Sequence, residues 1–312
     1  MKVGKILAVQ FFLIAAAACG RGGPVESDPS PEAARTAHQL ANATYSGITN
    51  EPVALTDGRW EGEPYANGGA SRPTAGLVDH FVLTGDLDND GADEIAALLW
   101  ESSGGSGTRL FLAIMGIRDG EFTNLATTPI GDRVQVQSGG IEDGLINLNV
   151  IRAGPEDGAC CPTQKALVSW ALSEDGLSLV ADKPIGTLSL ADLGGGEWAL
   201  LELGRGQPLP EDVEISLVFQ DDRVSGRSGC NNYFAGVTEV VPGQIAFNGM
   251  GATRMACPEP VMDVERRYLN VLARASNYSF LGGRLVLGCD TDKGPQALVF
   301  TSNGGPRAEI RE

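Results

Sequence analysis

The stretch TGDLDNDGADEIAALLW, residues 84–100, sets Asp86, Asp88 and Asp90 at alternate positions, followed by Gly91, Ala92 and Glu94. Counted from Asp86, this places acidic oxygens at positions 1, 3, 5 and 9 and a glycine at 6. A tight loop with this spacing turns several hard oxygen ligands onto a cation of calcium size, while the glycine permits the bend and the seventh residue offers its carbonyl. The implied set is Asp86, Asp88, Asp90 and Glu94 by side chain and Ala92 by backbone. The same residues also suit an acidic turn that simply stays solvated. Calcium here would hold the loop in shape, because carboxylates crowded into one turn repel one another and an ion between them stabilises the surrounding fold. No step of catalysis is implied.

Other reactive side chains are sparse. Cys160 and Cys161 are adjacent, and neighbouring Cα atoms stand about 3.8 Å apart, closer than in most disulfides, so a ring between them is strained. An exposed pair of this kind is a candidate redox couple. The alternatives are a bond from one of them to another segment, or a purely structural role. The histidines are His38 and His80, and no CxxC motif or GxSxG elbow occurs. Zinc binding and serine nucleophiles are therefore poorly supported. No catalytic residue is assigned, and a non-enzymatic protein is expected. The competing readings are an envelope enzyme using thiol-disulfide chemistry at Cys160 and Cys161, and an inhibitor or ligand-binding protein.

These residues need elements to position them, and the punctuation of the chain indicates which. Short apolar runs separated by Asp-Gly occupy residues 44–190, as in LFLAIMGIRDGEFTNLA and GGIEDGLINLNVIR. Asp-Gly between apolar runs is a strong hairpin signal, because the central residues of a type I′ turn need positive φ. An antiparallel β domain is expected there, carrying the acidic loop. Three consecutive glycines, residues 194–196, open a second unit over 191–303 with further strands. Within it, residues 260–275 place Val261, Val264, Tyr268 and Leu272 at helical spacing. The fold class is thus mainly β: an antiparallel β domain, then a small α+β domain in which an antiparallel sheet packs with one helix. Residues 19–43 read as a flexible tether with a short helix over 32–43, and residues 304–312 as a loose tail.

The N-terminus is a targeting segment by composition. Lys2 and Lys5 precede an uncharged apolar stretch over residues 6–18, and Ala16-Ala17-Ala18-Cys19-Gly20 follows. This resembles a bacterial lipoprotein signal, 1–18, which implies that Cys19 is lipidated and anchors the chain to a membrane. Gly20 after the cysteine implies the outer membrane, with the protein facing the periplasm. Loss of two lysines and no acids takes the net charge from −17 to −19. So acidic a chain argues against nucleic acid and anionic head groups as partners.

Two further resemblances concern the domains. DLDNDGADEIAALL is similar to the calcium loops of FG-GAP and integrin-type repeats, since Glu94 falls at position 9 and a strand, not a helix, follows. Only one copy is present, which makes a full propeller unexpected. EWALLEL, VSGRSGCNNYFAG, IAFNGMGATRMACPEP and ERRYLNVLARASNYSFLGGRLVL resemble, in this order, the successive blocks of the META domain, whose family includes HslJ-like heat-inducible bacterial lipoproteins. Membership implies association with envelope stress, brings no catalytic residues, and leaves an unknown envelope protein or ligand as the partner. Because Cys230 and Cys257 fall within the family blocks and an oxidising compartment permits the bond, they are the implied disulfide. NATYSGI, DGRWEGEPY, LLWESSGGSGT and GPEDGACCPTQ resemble a region that precedes META domains in larger envelope lipoproteins. That likeness carries no activity.

Overall fold

The computed structural model describes residues 30–302 apart from 106, 159, 205, 206, 292 and 293. The expected signal segment, Cys19 and the tail lie outside the described residues. Helix α1, Pro31–Ala41, begins where Ser30 Oγ accepts the backbone N–H of Ala33 at 3.1 Å and Pro31 supplies the first-turn φ. It ends two residues earlier than expected, at Asn42, whose N–H turns back to Gln39 O. No described helix is long and apolar enough to cross a membrane.

A short pair, β1 (Thr44–Tyr45) and β2 (Val53–Ala54), follows the helix. Next come β3 (Arg59–Glu61), β4 (Thr74–Gly85), β5 (Glu94–Ser102), β6 (Arg109–Arg118) and β7 (Glu121–Asp132), which form a five-stranded antiparallel sheet in chain order. Strands β8 (Gln135–Glu142), β9 (Leu145–Arg152), β10 (Gln164–Ser173) and β11 (Gly176–Thr187) form a second antiparallel sheet. Asp119-Gly120 and Asp143-Gly144 make the predicted turns with positive φ at both residues.

The two sheets stack around Leu98, Leu112 and Ile114 from one and Ile146, Leu148 and Val168 from the other. The other face of the five-stranded sheet buries Ala97, Leu99, Phe111 and Met115 beneath Leu40, Tyr45 and Val53. Coverage on both faces accounts for the unbroken apolar runs IAALL and LFLAIM, where a half-exposed strand would alternate.

After a 3₁₀ turn, Leu190–Leu193, the chain forms β12 (Glu197–Leu203), β13 (Ser216–Gln220), β14 (Arg223–Arg227), β15 (Asn232–Val241) and β16 (Gln244–Ala252). Helix α2 (Glu259–Leu272) intervenes before β17 (Asn277–Leu281), β18 (Arg284–Thr291) and β19 (Gly294–Ser302). The expected antiparallel sheet closes on itself: β12 pairs with β19, Trp198 opposite Ser302, and the eight strands form a barrel. Val264, Tyr268 and Leu272 of α2 share a core with Leu217, Leu285, Leu298 and Phe300. Sandwich and barrel are joined along a hydrogen-bonded seam, in which Phe280 N donates to Gln135 Oε1 at 2.9 Å and Gly283 N to Val136 O at 3.0 Å.

Candidate metal centre

The acidic loop connects β4 to β5, whose ends are pinned by the pairing of Gly85 with Glu94. Between them the chain makes left-handed turns at Asn89 (φ 61°) and Gly91 (φ 89°). A Cβ at Gly91 would meet nothing within 4 Å, so glycine is required there for backbone conformation and not for space. Leu87 is buried in the sandwich core and anchors the loop from within. The carboxylates also fold the loop around themselves. Asp86 Oδ2 accepts Gly91 N at 3.2 Å, Asp88 Oδ1 accepts Asp90 N at 3.2 Å, and Asp90 Oδ1 accepts Ala92 N at 2.8 Å.

Asp86, Asp88 and Glu94 each present an oxygen such that all three lie within 4.8 Å of one another. Asp90 stands outside this group, holding the turn through Ala92 N. Glu94 is only 4% exposed and accepts the backbone N–H of Leu87 at 2.9 Å. Its carboxyl is pushed above the ordinary glutamate range by burial. The Leu87 N–H pulls the other way, and Asp88, Asp90 and Asp86 add to the rise. Asp86 Oδ1 is buried with no hydrogen-bond partner among the described residues. A hard cation would satisfy that oxygen and cancel the mutual repulsion, so the donor set fits calcium.

Sequence reasoning missed the neighbourhood of this loop. The Asp143-Gly144 hairpin of the second sheet abuts it, with the Cβ position of Gly144 3.5 Å from Asn89 Nδ2. An open cleft of about 610 Å³ beside it is lined by Asp88, Asp90, Arg118 and Glu174. The Asp-Gly signal disclosed the hairpin but not where it would land.

Cys160 and Cys161 are bonded to each other and exposed. Neither is tied to another segment. Their loop is organised by Asp157, whose carboxylate accepts Gly154 N, Thr163 N and Thr163 Oγ1 at 2.7–2.8 Å. Hydrogen bonds from Gly154 and Thr163 hold its carboxyl below the usual aspartate range. His38 is exposed on α1, and His80 lies in a bulge of β4 with φ 66°.

In the barrel, Cys230 and Cys257 are bonded, with Cα atoms 5.9 Å apart. Beside them lies a group the sequence did not single out: Glu265, on the buried face of α2 and 8% exposed. Its Oε2 accepts Ser228 Oγ at 2.6 Å and Asn231 N at 2.8 Å, and its Oε1 accepts Asn231 Nδ2 at 2.8 Å. Burial would raise this carboxyl, but donors from Ser228, Asn231 and the Cys230 backbone outweigh it and hold the group below the ordinary range. Asn231 Oδ1 in turn accepts Thr253 Oγ1 and Met255 N, tying the GCNNY block to the TRMAC block. Cys289 is a buried free thiol, raised by burial.

The barrel, its helix and its disulfide fall within a single matched segment. Residues 191–303 match the META domain family model. That match supports the META family for the C-terminal barrel. A solved structure similar to this chain is the NMR structure of a protein from Burkholderia xenovorans, 24% identical, covering 36% of this chain and 84% of that one with a TM-score of 0.29. No curated protein matches the chain. The buried Glu265 network and the Cys230–Cys257 bond both lie inside the META segment, whereas the acidic loop and the Cys160–Cys161 pair lie outside it.

Proposed function

We propose that the protein is a lipid-anchored component of the bacterial envelope that acts by binding, with a calcium-stabilised β sandwich carrying a stress-associated META domain. The observation that carries the calcium part is the buried, unpartnered Asp86 Oδ1 beside two further carboxylates. Asp86, Asp88 and Glu94 would hold the ion, with Asp90 and Ala92 shaping or completing its shell; the ion would supply positive charge and no reaction step. Support for the envelope address comes from Cys19 after an uncharged apolar segment. The META match supports at most a stress-associated envelope module. The single FG-GAP-like loop is consistent with a structural ion. In-cell crosslinking of the tagged protein, with calcium and with chelator, tests the reading. A specific, calcium-dependent envelope partner is the expected result. Capture of nothing in either condition would confine the loop to stability and remove the case for an interaction module.

The thiol-disulfide reading retains one specific observation, the exposed Cys160–Cys161 bond. A Cys160→Ala/Cys161→Ala variant with unchanged stability but lost redox activity would establish it.

A further inference from the structure

Helix α2 and the ends of β12, β18 and β19 frame an open cleft of about 440 Å³ on the barrel. Arg267, Asn270, Val271 and Arg274 line it from the helix side, and Thr291 and Gln296 from the β18–β19 hairpin. Arg267, Asn270 and Arg274 are exposed, and their offsets of three and four residues place them on one face. That face runs through the last turns of α2 into the closing turn, where Arg274 N donates to Val271 O at 3.1 Å.

The charge of this face is unusual for the molecule. The chain has 40 acidic residues against 23 basic ones, so carboxylates that could pair with an arginine are in excess. Arg109, Arg133, Arg152 and Arg266 each hold one at 2.6–3.0 Å. Arg267 and Arg274 form no ion pair among the described residues. Arg267 is oriented by a neutral group instead: its Nη2 donates to Gln207 Oε1 at 3.0 Å, which fixes the guanidinium and leaves its charge uncompensated. Asp263, the carboxylate that lines the cleft, is bonded by Arg266, which also binds Glu259. The Asn270 side chain has no hydrogen bond among the described residues, and Gln296 Nε2 makes a long one to Pro295 O at 3.3 Å, so both amides can turn donors into the cleft.

Two unpaired guanidiniums and two amides supply positive charge and an excess of N–H donors. The guanidinium fork matches pairs of phosphate oxygens, and such charge-assisted bonds are the strong ones. A neutral ligand would leave both charges unmatched, and a single carboxylate would leave one. The net charge of −17 repels an extended anionic surface, whereas a small anion meets only the local pair of cations. We propose that this cleft binds the phosphate group of a small soluble ligand, held between Arg267 and Arg274, with Asn270 and Gln296 bonding its remaining oxygens. Seven residues of helix and closing turn set the two arginines about 10 Å apart along the backbone, a span their long side chains can close around one tetrahedral group. The cleft shares no residue with the acidic loop or with Cys160 and Cys161, so it stands or falls separately from the calcium and thiol readings.

The test is calorimetry and phosphorus NMR on the full chain in neutral detergent with chelator, using glycerol phosphate as the probe and acetate as the singly charged control. Glycerol phosphate is expected to bind saturably and more tightly than acetate. Arg267→Gln and Arg274→Gln should each weaken it about tenfold or more, the worth of one charge-assisted hydrogen bond. Arg223→Gln removes the same charge from exposed β14, outside the cleft, and should change affinity less than about twofold because solvent and salt screen it. Repeating the titration with phosphatidic acid in the micelles should leave the affinity unchanged. No saturable binding below about 10 mM would overturn the proposal, as would an Arg223→Gln effect equal to that of the cleft variants. Equal affinity for acetate would overturn the assignment to phosphate, and displacement by phosphatidic acid would overturn the soluble source.

Discussion

Two of the buried glutamates, Glu265 in the barrel and Glu94 in the sandwich, are treated in opposite ways. Glu265 of the barrel is 8% exposed and receives donors from Ser228, Asn231 and Cys230, so its charged form is stabilised by hydrogen bonds from the chain itself. Glu94 of the sandwich is 4% exposed, receives Leu87 N–H, and faces Asp86, Asp88 and Asp90. A buried carboxylate is tolerated when donors satisfy it and is costly when they do not. The barrel acid is therefore satisfied from within, whereas the sandwich loop keeps a raised carboxyl and an unpartnered Asp86 oxygen that a cation would satisfy.

The sharpest way to break this contrast is to remove the self-sufficient acid. Glu265→Ala strands three or more donors in the core, and urea denaturation should show a loss of about 3–5 kcal/mol. The loss should be the same in calcium and in chelator. Next in size, Cys230→Ala/Cys257→Ala opens the loop between the GCNNY and TRMAC blocks, and should cost about 2–4 kcal/mol by the same assay, again independent of calcium. A calcium-dependent cost in either case would mean that the two halves are not separate in this respect.

Glu94→Gln sharpens the comparison through its sign. In chelator the substitution removes one repelling charge while a side-chain oxygen can still accept Leu87 N–H, so the protein should gain about 1–2 kcal/mol. In saturating calcium it removes a ligand and should lose stability. Melting the two proteins side by side reads both signs.

The smallest effects are those of pH, and they run in opposite directions. The folded Glu94 carboxyl is raised, so its favourable contribution is full below the unfolded glutamate value and is lost as pH rises through the folded one. In chelator, the gap by which Glu94→Gln exceeds wild type should therefore shrink as pH falls from 7 toward about 4. The folded Glu265 carboxyl is lowered, so its contribution is full above the unfolded value and is lost as pH falls through the folded one. The penalty of Glu265→Gln should accordingly persist at pH 5 and fade only below about pH 4. Denaturation series for the three proteins across this range check both slopes.

The same two acids show what was legible in the chain. Glu94 was readable because its partners are its neighbours: a loop of nine residues with acids at fixed offsets and a glycine at the bend states its chemistry locally. Glu265 was not, because a charge in an amphipathic helix reads as part of the solvated face, and its partners Ser228 and Asn231 are 37 and 34 residues away. Fold class followed from Asp-Gly turns and apolar runs. Barrel closure did not, since it depends on β12 meeting β19 at Trp198 and Ser302, ends of the domain that no local pattern brings together.

The most direct test of the central claim is a melting curve of the purified chain in calcium and in chelator, set beside Asp86→Ala/Asp90→Ala. The account predicts that chelation lowers the melting temperature of the wild type and that the variant melts identically in both buffers. A wild type that melts at the same temperature in both would show that the acidic loop is an ordinary solvated turn, and that Glu94 tolerates its neighbours without an ion.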